Sequence, residues 1–231
     1  MTISFEVLTG RTETHLAHHP GFDILVHQDA LPALTMMQKE AKAAGFDPII
    51  VSAFRSHQKQ LEIWNAKARG ERPVLDDEGM PLEITSLSEE DLCLSIMRWS
   101  ALPGASRHHW GTDFDIVDLK ALPSPDYKIQ LIPEEVETGG IFAPFYDWLE
   151  DYLKSMKTPI FFWPYREDKK GIAPERWHLS FAPTANTFLT AYTFEIFWRN
   201  IEESDLHLKQ AVKLAANELY HRFFLNITPA E

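Results

Sequence analysis

The chain has 231 residues and a formal net charge of −12, and 45% of its residues are hydrophobic. This apolar content is enough for a globular core and excludes a disordered or fibrous protein. The acidic balance argues against a nucleic-acid partner, because such a surface repels a phosphate backbone. Cys93 is the single cysteine, which excludes an internal disulfide and a zinc site built on cysteine ligands.

The N-terminus shows no targeting signal. Residues 1–14 lack the basic start, the apolar stretch and the small-residue cleavage site of a secretory leader. No window approaches the ~20 apolar residues that a transmembrane helix needs. We therefore expect no membrane span and a cytoplasmic location for the chain as written, or a periplasmic or exported one if a leader was removed.

The predicted elements alternate helices with short apolar strands. Ser56 and Ser88 stand where each can cap a helix, and Gly45 is a natural helix end. In chain order, the pattern predicts a helix at 29–44, a strand at 46–53, a helix at 56–69, a loop at 71–87, a helix at 88–99, a strand at 114–119, a helix at 141–156, strands at 159–163 and 177–181, and helices at 186–200 and 205–224. The fold class is therefore α+β, with helices flanking a small sheet and a C-terminal helical pair.

Two segments stand out among the ten histidines of the chain. Ser106–Asp115 places an imidazole on a loop and a carboxylate seven residues later at the start of a strand, and Gly111 allows the sharp path between them. Glu175–His178 offers a further carboxylate and imidazole beside a strand. Two histidines and a carboxylate form a ligand set that catalytic zinc prefers, and one carboxylate is left over to act as a base. On the residue pattern alone, polar residues at strand ends explain both segments equally well.

Three motifs resemble those of one metallopeptidase family and occur in the family's order. Ser106–Asp115 resembles the S-x-H-x-x-G-x-A-x-D signature of VanX/VanY-type zinc D-alanyl-D-alanine peptidases, and Glu175–His178 resembles their E-x-x-H. Upstream, Ser52–Ser56 together with Gln60 resembles their G-Y-R-x-x-x-x-Q segment. The resemblance spans about residues 25–183. It implies a fold similar to Hedgehog domains and DD-peptidases, with a small, mainly antiparallel sheet.

The resemblance also implies a metal site and a base. His108, Asp115 and His178 would bind one zinc ion, and Glu175 would take a proton from the zinc-bound water and pass it to the departing amine. An i, i+3 pair on a strand points to opposite sides. We therefore expect a turn at Pro174 to re-aim Glu175 toward the metal.

Substrate contacts are implied for three more positions. Arg55 would stabilise the developing oxyanion or hold the peptide carbonyl of the substrate. Ser106 and Gln60 would bind the terminal carboxylate of the substrate by hydrogen bonds.

Two departures from the family pattern, at Asp113 and at residues 161–166, affect the site. Asp113 replaces the small residue two before the metal aspartate and shares its strand face. It would either orient a ligand histidine, pair with an arginine such as Arg107, or compete as a metal ligand. His109 directly follows a ligand and should point away from the metal. Residues 161–166 replace the R-Y-P segment of the family, so substrate preference does not carry over.

The leading hypothesis is a zinc-dependent carboxypeptidase that removes the terminal D-Ala from peptidoglycan stem peptides. The alternatives among enzymes are an L,D-carboxypeptidase or an L-Ala-D-Glu endopeptidase acting on the same polymer. A non-catalytic zinc-containing binding domain is the alternative from another class. Glu175 and Arg55 argue against it, because a binder needs neither a base nor an oxyanion partner. We expect a catalytic domain at 1–183 and a helical extension at 184–231 packed on it.

Overall fold

The computed structural model describes residues 3–158 and 160–230. Its strands are β1 Leu16–His19, β2 Ile24–His27, β3 Pro48–Ser52, β4 Asp113–Asp118, β5 Phe161–Phe162 and β6 His178–Phe181. β1 and β2 form an antiparallel hairpin, and the other strands form an antiparallel sheet in the order β3-β4-β6-β5. β4 therefore has a hydrogen-bonded neighbour on each side.

The helices lie around this sheet. They are α1 Phe5–Leu8, α2 Leu31–Ala43, α3 His57–Ala68, α4 Glu89–Trp99, α5 Pro133–Val136, α6 Ala143–Lys154, α7 Ala182–Ala191, α8 Phe194–Glu203, α9 Lys209–Leu214 and α10 Ala216–Leu219. The predicted α+β class is confirmed. Within the described ranges, no helix has the length and apolar content needed to cross a bilayer.

The predicted helix starts in the first half of the chain are confirmed. Ser56 Oγ accepts a hydrogen bond from Lys59 N at 3.2 Å and caps α3. Ser88 Oγ accepts one from Asp91 N at 3.1 Å and caps α4, whose first turn carries three carboxylates. Side-chain caps satisfy backbone N–H groups that the first turn of a helix leaves without partners. The exposed starts of α3 and α4 are thereby fixed by local sequence.

Two apolar clusters hold the elements together. One packs the sheet against α2 and α6 through buried side chains such as Phe114, Leu34 and Tyr146. The other joins α3 and α4 to the C-terminal helices, with Trp64 and Phe197 fully buried in it. The region 184–231 therefore packs on the same cluster as α3 and α4, while its standing as a separate domain stays a prediction.

The C-terminal region differs from the predicted helices at 186–200 and 205–224. The structure breaks the first helix at Tyr192, between α7 and α8. The second begins only at Lys209, is interrupted at Ala215 between α9 and α10, and closes with a π-helical turn, Tyr220–Phe224. Tyr192 is buried with an extended backbone, its hydroxyl donates to Gly104 O, and its carbonyl accepts from the Tyr220 hydroxyl. These long-range contacts stabilise a non-helical residue that helical periodicity does not reveal.

Other elements also differ from the sequence prediction, among them the short helices α1 and α5, which were not predicted. The β1–β2 hairpin was not predicted. The strand expected at 159–163 is the shorter Phe161–Phe162, and Pro159 lies outside the described residues.

Candidate metal centre and active site

The sheet register brings together residues that lie far apart in the sequence. Asp115 on β4 pairs with His178 on β6 and, on its other side, with Ser52 on β3. The register between β3 and β4 is irregular between Ile50 and Ser52. Directly opposed residues of antiparallel strands place their side chains within contact distance. One strand pairing therefore joins the two chemistry-bearing segments.

A tight loop brings the second histidine to the same place. His108 lies in a short 3-10 turn, Arg107–Trp110, which ends at Gly111 in a left-handed conformation with φ 67°. A Cβ at Gly111 would lie 2.5 Å from the Leu16 side chain and 2.7 Å from His27 N. Only glycine fits both this backbone conformation and this space. The predicted sharp path from His108 to β4 is confirmed.

Three potential ligand groups converge in the protein interior. The ligand atoms of His108, Asp115 and His178 lie within 4.8 Å of one another, and each residue is at most 5% exposed. His108 Nε2 lies 3.5 Å from Asp115 Oδ2, and His178 Nδ1 lies 3.4 Å from Asp115 Oδ1. A tetrahedral ion with ligand bonds of about 2.1 Å has ligands about 3.4 Å apart. Asp115 Oδ1 is buried and has no hydrogen-bond donor among the described residues.

The hydrogen bonds behind both histidines orient their lone pairs toward the centre of this cluster. His108 Nδ1 lies 2.9 Å from Ala53 O, and a carbonyl only accepts, so Nδ1 carries the proton. His178 Nε2 lies 3.0 Å from Asp113 Oδ1 and donates to it, which leaves Nδ1 as the free acceptor. Metal-ligating histidines usually have a carbonyl or a carboxylate behind them in this way. The donor set fits a divalent metal ion.

Asp113 fulfils two of the predicted roles at once. Besides His178, its Oδ1 accepts from Arg107 Nε at 2.7 Å, and its Oδ2 accepts from Thr112 Oγ1 at 2.6 Å. Burial raises the pKa of Asp113, but the Arg107 charge and these hydrogen bonds lower it more, so the net pKa is well below its usual range. Asp113 therefore remains ionised behind His178, and its oxygens already have partners.

Glu175 lies beside the potential metal-ligand atoms. Its Oε2 is 3.3 Å from His178 Nδ1, and its side chain is 14% exposed. A turn closed by His178 N donating to Glu175 O at 3.2 Å reverses the chain, and Glu175 N donates to Tyr165 O at 2.8 Å. This turn directly after Pro174 brings the i, i+3 pair to one side, as the sequence predicted. Burial raises the pKa of Glu175, which suits a carboxylate that must gain a proton during a reaction.

Arg55 is held at the cavity wall by two side chains. Its Nη1 donates to Gln60 Oε1 and its Nη2 to Ser52 Oγ, both at 2.9 Å. Gln60 is fully buried, and its amide nitrogen donates to Ala101 O at 2.7 Å. Gln60 does not line the cavity, and both ends of its amide have partners within the protein, so its contact with substrate stays a prediction.

Ser106 lines the cavity, while His109 points away from it. Ser106 is 2% exposed and lies directly before the turn that carries His108. His109 Nε2 accepts from Gly104 N at 2.9 Å, so its Nδ1 carries the proton and donates to Arg55 O at 2.5 Å. The predicted orientation of His109 is confirmed. These two hydrogen bonds of the His109 ring stabilise the loop that carries Ser106 and His108.

The three potential ligand residues line a cavity of about 340 Å³. Among the residues of its wall to which sequence reasoning assigned no role are Tyr165, Lys67 and Arg72. The Tyr165 ring packs edge-on against the His178 ring, with centroids 4.9 Å apart. Tyr165 belongs to the stretch 161–166 that departs from the family pattern, so this departure was the available signal. Lys67 and Arg72 gave no local signal.

Comparisons with known proteins agree with this geometry. A family model described as VanY, D-alanyl-D-alanine carboxypeptidase, matches residues 23–184. An uncharacterised protein of Haemophilus influenzae is 36% identical over 105 residues, covering 44% of this chain and 72% of that protein. A second uncharacterised protein of the same organism is 35% identical over 117 residues, covering 47% of this chain and 88% of that protein.

One solved structure shows the same fold. VanYB in complex with D-alanine-D-alanine has a TM-score of 0.50 and 18% sequence identity, covering 86% of this chain and 87% of that chain. The likeness extends beyond the residues that the family model matches.

Proposed function

The chain belongs to the VanY family of D-alanyl-D-alanine carboxypeptidases, metallopeptidases that act on peptidoglycan peptides, and from this premise we propose that it removes the terminal D-Ala of stem peptides with one zinc ion. The observation that carries this proposal is the convergence of His108, Asp115 and His178, with Glu175 beside them. Two imidazoles and a carboxylate leave coordination positions open, which distinguishes a catalytic zinc site from a closed structural one.

His108 Nε2, His178 Nδ1 and the Asp115 carboxylate would hold the zinc ion. When bound, zinc would polarise the scissile carbonyl and make a water molecule more acidic. Behind these ligands, Asp113 fixes the tautomer of His178 and raises its basicity. The Ala53 carbonyl does the same for His108.

Glu175 and Arg55 would carry out the proton transfer and charge stabilisation. Glu175 would accept a proton from the attacking water and donate it to the departing amine as the carbon–nitrogen bond breaks. The Arg55 guanidinium, held by Ser52 and Gln60, would donate hydrogen bonds to the carbonyl oxygen as it gains negative charge. A donor fixed before the reaction needs no reorganisation when that charge develops.

Mass spectrometry of the products from defined substrates tests the proposed specificity. We expect cleavage of a pentapeptide ending in D-Ala-D-Ala and release of one D-Ala. Preferred cleavage of a tetrapeptide would indicate an L,D-carboxypeptidase instead. Release of an intact stem peptide fragment from a muropeptide would indicate an L-Ala-D-Glu endopeptidase.

The Glu175→Gln variant tests the proposed base. We expect kcat to fall about 10²–10⁴-fold while zinc binding remains, because the variant removes proton transfer and keeps the ligand atoms. Glu167→Gln, at an exposed position after Tyr165, is the matched control and should keep wild-type turnover. Unchanged turnover in Glu175→Gln would contradict the mechanism. Zinc binding without cleavage of any stem peptide by the wild type would favour a binding domain.

A further inference from the structure

The cavity extends along α3 to a pair of cations. Arg55, two residues before α3, lines the metal end of the cavity, and Ile63 and Lys67, which share one face of α3, line it about two and three turns further along the chain. Arg72, in the loop after α3, also lines it. Ten residues of helix span about 15 Å, so the Lys67 end of the cavity lies well beyond the metal ligands.

Lys67 and Arg72 have no acidic partner in the part of the chain that the structure describes. Among residues 3–158 and 160–230, neither takes part in an ion pair within 4.0 Å. What distinguishes this pair is its place, because both cations line the cavity that also contains Arg55 and Glu175.

The nearest acidic groups in the sequence are already engaged. Arg69 binds both carboxylate oxygens of Glu71, at 2.6 and 2.7 Å. Arg98 binds Asp77 at 2.8 Å. The Asp76 carboxylate accepts two backbone N–H groups of its own loop. These contacts leave the two cavity cations available for an external anion.

Hydrogen bonds fix the backbone around both residues. Arg72 N and Glu71 N donate to Ala66 O, which fixes the start of the loop against the last turn of α3. Further along, Trp99 Nε1 donates to Asp76 O at 2.8 Å and anchors the loop to α4. Burial, followed by the Arg72 charge, lowers the pKa of Lys67 to about 8. A bound anion would relieve the repulsion between these two neighbouring cations.

A structural role accounts for only one of the two cations. Lys67 lies in the last turn of α3, where a positive charge complements the helix dipole. That interaction needs no burial and does not explain why Arg72, outside the helix, lines the same cavity.

We propose that Lys67 and Arg72 form an anion subsite that binds a free carboxylate within the peptide substrate, remote from the scissile bond. The proposal rests on the proposed peptidase function and adds a specificity determinant to it. The terminal carboxylate is the other possible source of this chemistry. It lies only a few bonds from the scissile carbonyl, whereas the cation pair lies at the far end of the cavity. The internal carboxylate is therefore the better match.

Three synthetic peptides separate the two sources. The first ends in D-Ala-D-Ala and has a free internal carboxylate, the second has that carboxylate converted to a carboxamide, and the third has a C-terminal carboxamide. For the first peptide, we expect Lys67→Met/Arg72→Gln to raise KM about tenfold or more with little change in kcat, because charge-assisted hydrogen bonds to the carboxylate are lost. For the second peptide, KM should be the same for the variant and the wild type.

Lys59→Met/Arg69→Gln is the matched control. It removes the same two charges from α3 and its C-terminal end, at positions that do not line the cavity. This control should keep the wild-type preference for the first peptide. Equal KM for the variant and the wild type on the first peptide would overturn the proposal, as would an equal rise in KM for the first and second peptides. A variant effect that disappears only with the third peptide would overturn the internal assignment in favour of the terminal carboxylate.

Binding measurements distinguish failure of the subsite from failure of the proposed function. Calorimetric titration of the first and second peptides into zinc-loaded Glu175→Gln protein, with and without the Lys67 and Arg72 substitutions, requires no turnover. If the wild type cleaves no peptide, the proposed function fails. The subsite proposal is then supported if the first peptide binds about tenfold more weakly after the two substitutions, and it is overturned if the affinity is unchanged.

Discussion

The central strands and the C-terminal helices contribute to the active site in different ways. The strands β4 and β6 carry Asp115 and His178 and lie within the family match at 23–184. The helices after residue 184 supply no potential metal ligand among the described residues, yet two of their side chains hold the loop that leads to His108. The Tyr192 hydroxyl donates to Gly104 O at 2.7 Å, and Asn200 Nδ2 donates to Pro103 O at 2.6 Å.

The same helices connect the loop to the N-terminal segment. Arg11 Nη1 donates to Asn200 Oδ1 at 2.9 Å. The His57 ring lies 2.9 Å from Ser204 Oγ and stacks on the His109 ring, with centroids 6.4 Å apart. The family motifs therefore contain the candidate reactive groups, while the side chains that position the loop come partly from outside the matched region. The following predictions test this division, from the largest expected effect to the smallest.

His178→Ala tests the contribution of the strands to zinc binding and catalysis. In His178→Ala, we expect the loss of stoichiometric zinc and a fall in kcat/KM of about 10³-fold or more. The metal contributes several kcal/mol of transition-state stabilisation, and about 1.4 kcal/mol corresponds to a factor of ten. Metal analysis and steady-state kinetics measure both. His207→Ala, an exposed position in the C-terminal region, should keep both properties. Full zinc occupancy of His178→Ala at wild-type affinity would remove His178 from the ligand set.

Gly104→Ala tests the contact between the loop and the C-terminal helices. Gly104 has φ 82°, and an added Cβ would lie 1.9 Å from Asn200 Oδ1. We expect the free energy of unfolding to fall by about 2–5 kcal/mol through backbone strain and overpacking together. Gly139→Ala is the control, because Gly139 has φ 92° and nothing within 4 Å of an added Cβ. Denaturant unfolding should show a smaller loss for the control, of about 1–2 kcal/mol. Equal losses would mean that the Asn200 contact is not tight.

Asp113→Asn tests the support behind the ligand histidine. The substitution keeps the shape of the side chain but removes the charge that His178 donates to, so we expect zinc affinity to fall about 10–100-fold. Ser180→Ala removes another partner of Arg107 without touching His178. Competition with a chelator should show nearly wild-type zinc affinity for this control. Similar losses of affinity in both variants would trace the effect to Arg107 rather than to His178.

Tyr192→Phe tests whether the contact between the C-terminal region and the loop at Gly104 affects catalysis. It removes the hydrogen bond to Gly104 O, which we expect to cost about 1 kcal/mol of stability and less than about tenfold in kcat/KM. Tyr220→Phe removes a similar bond, to Tyr192 O, which does not reach the loop. Its loss of stability should be similar and its kcat/KM unchanged. If neither variant changes kcat/KM, this bond contributes to stability alone.

Local signals explain which parts of the fold and the site were predictable. The caps at Ser56 and Ser88 and the turn at Gly111 depend on neighbours in the sequence, so the sequence predicts them. The ligand set followed from three motifs in order. The two roles of Asp113 followed from the alternation of side chains along a strand.

The unpredicted features depend on long-range contacts. The break at Tyr192 comes from its bonds to Gly104 and Tyr220. Gln60 matched a motif position, but its burial behind Arg55 depends on how α3 packs. Lys67 has the sequence context of any lysine in the last turn of a helix. The short β1–β2 hairpin has no strong apolar alternation.

The double pairing of β4 restricts where the chain can change in length. All six of its residues are buried, and Asp115 is in register with Ser52 on one side and His178 on the other. One inserted or deleted residue would turn Asp113 and Asp115 to the opposite face of the sheet. Residues 123–126 are exposed and follow the strand, so an epitope tag or a natural insertion there leaves the register intact.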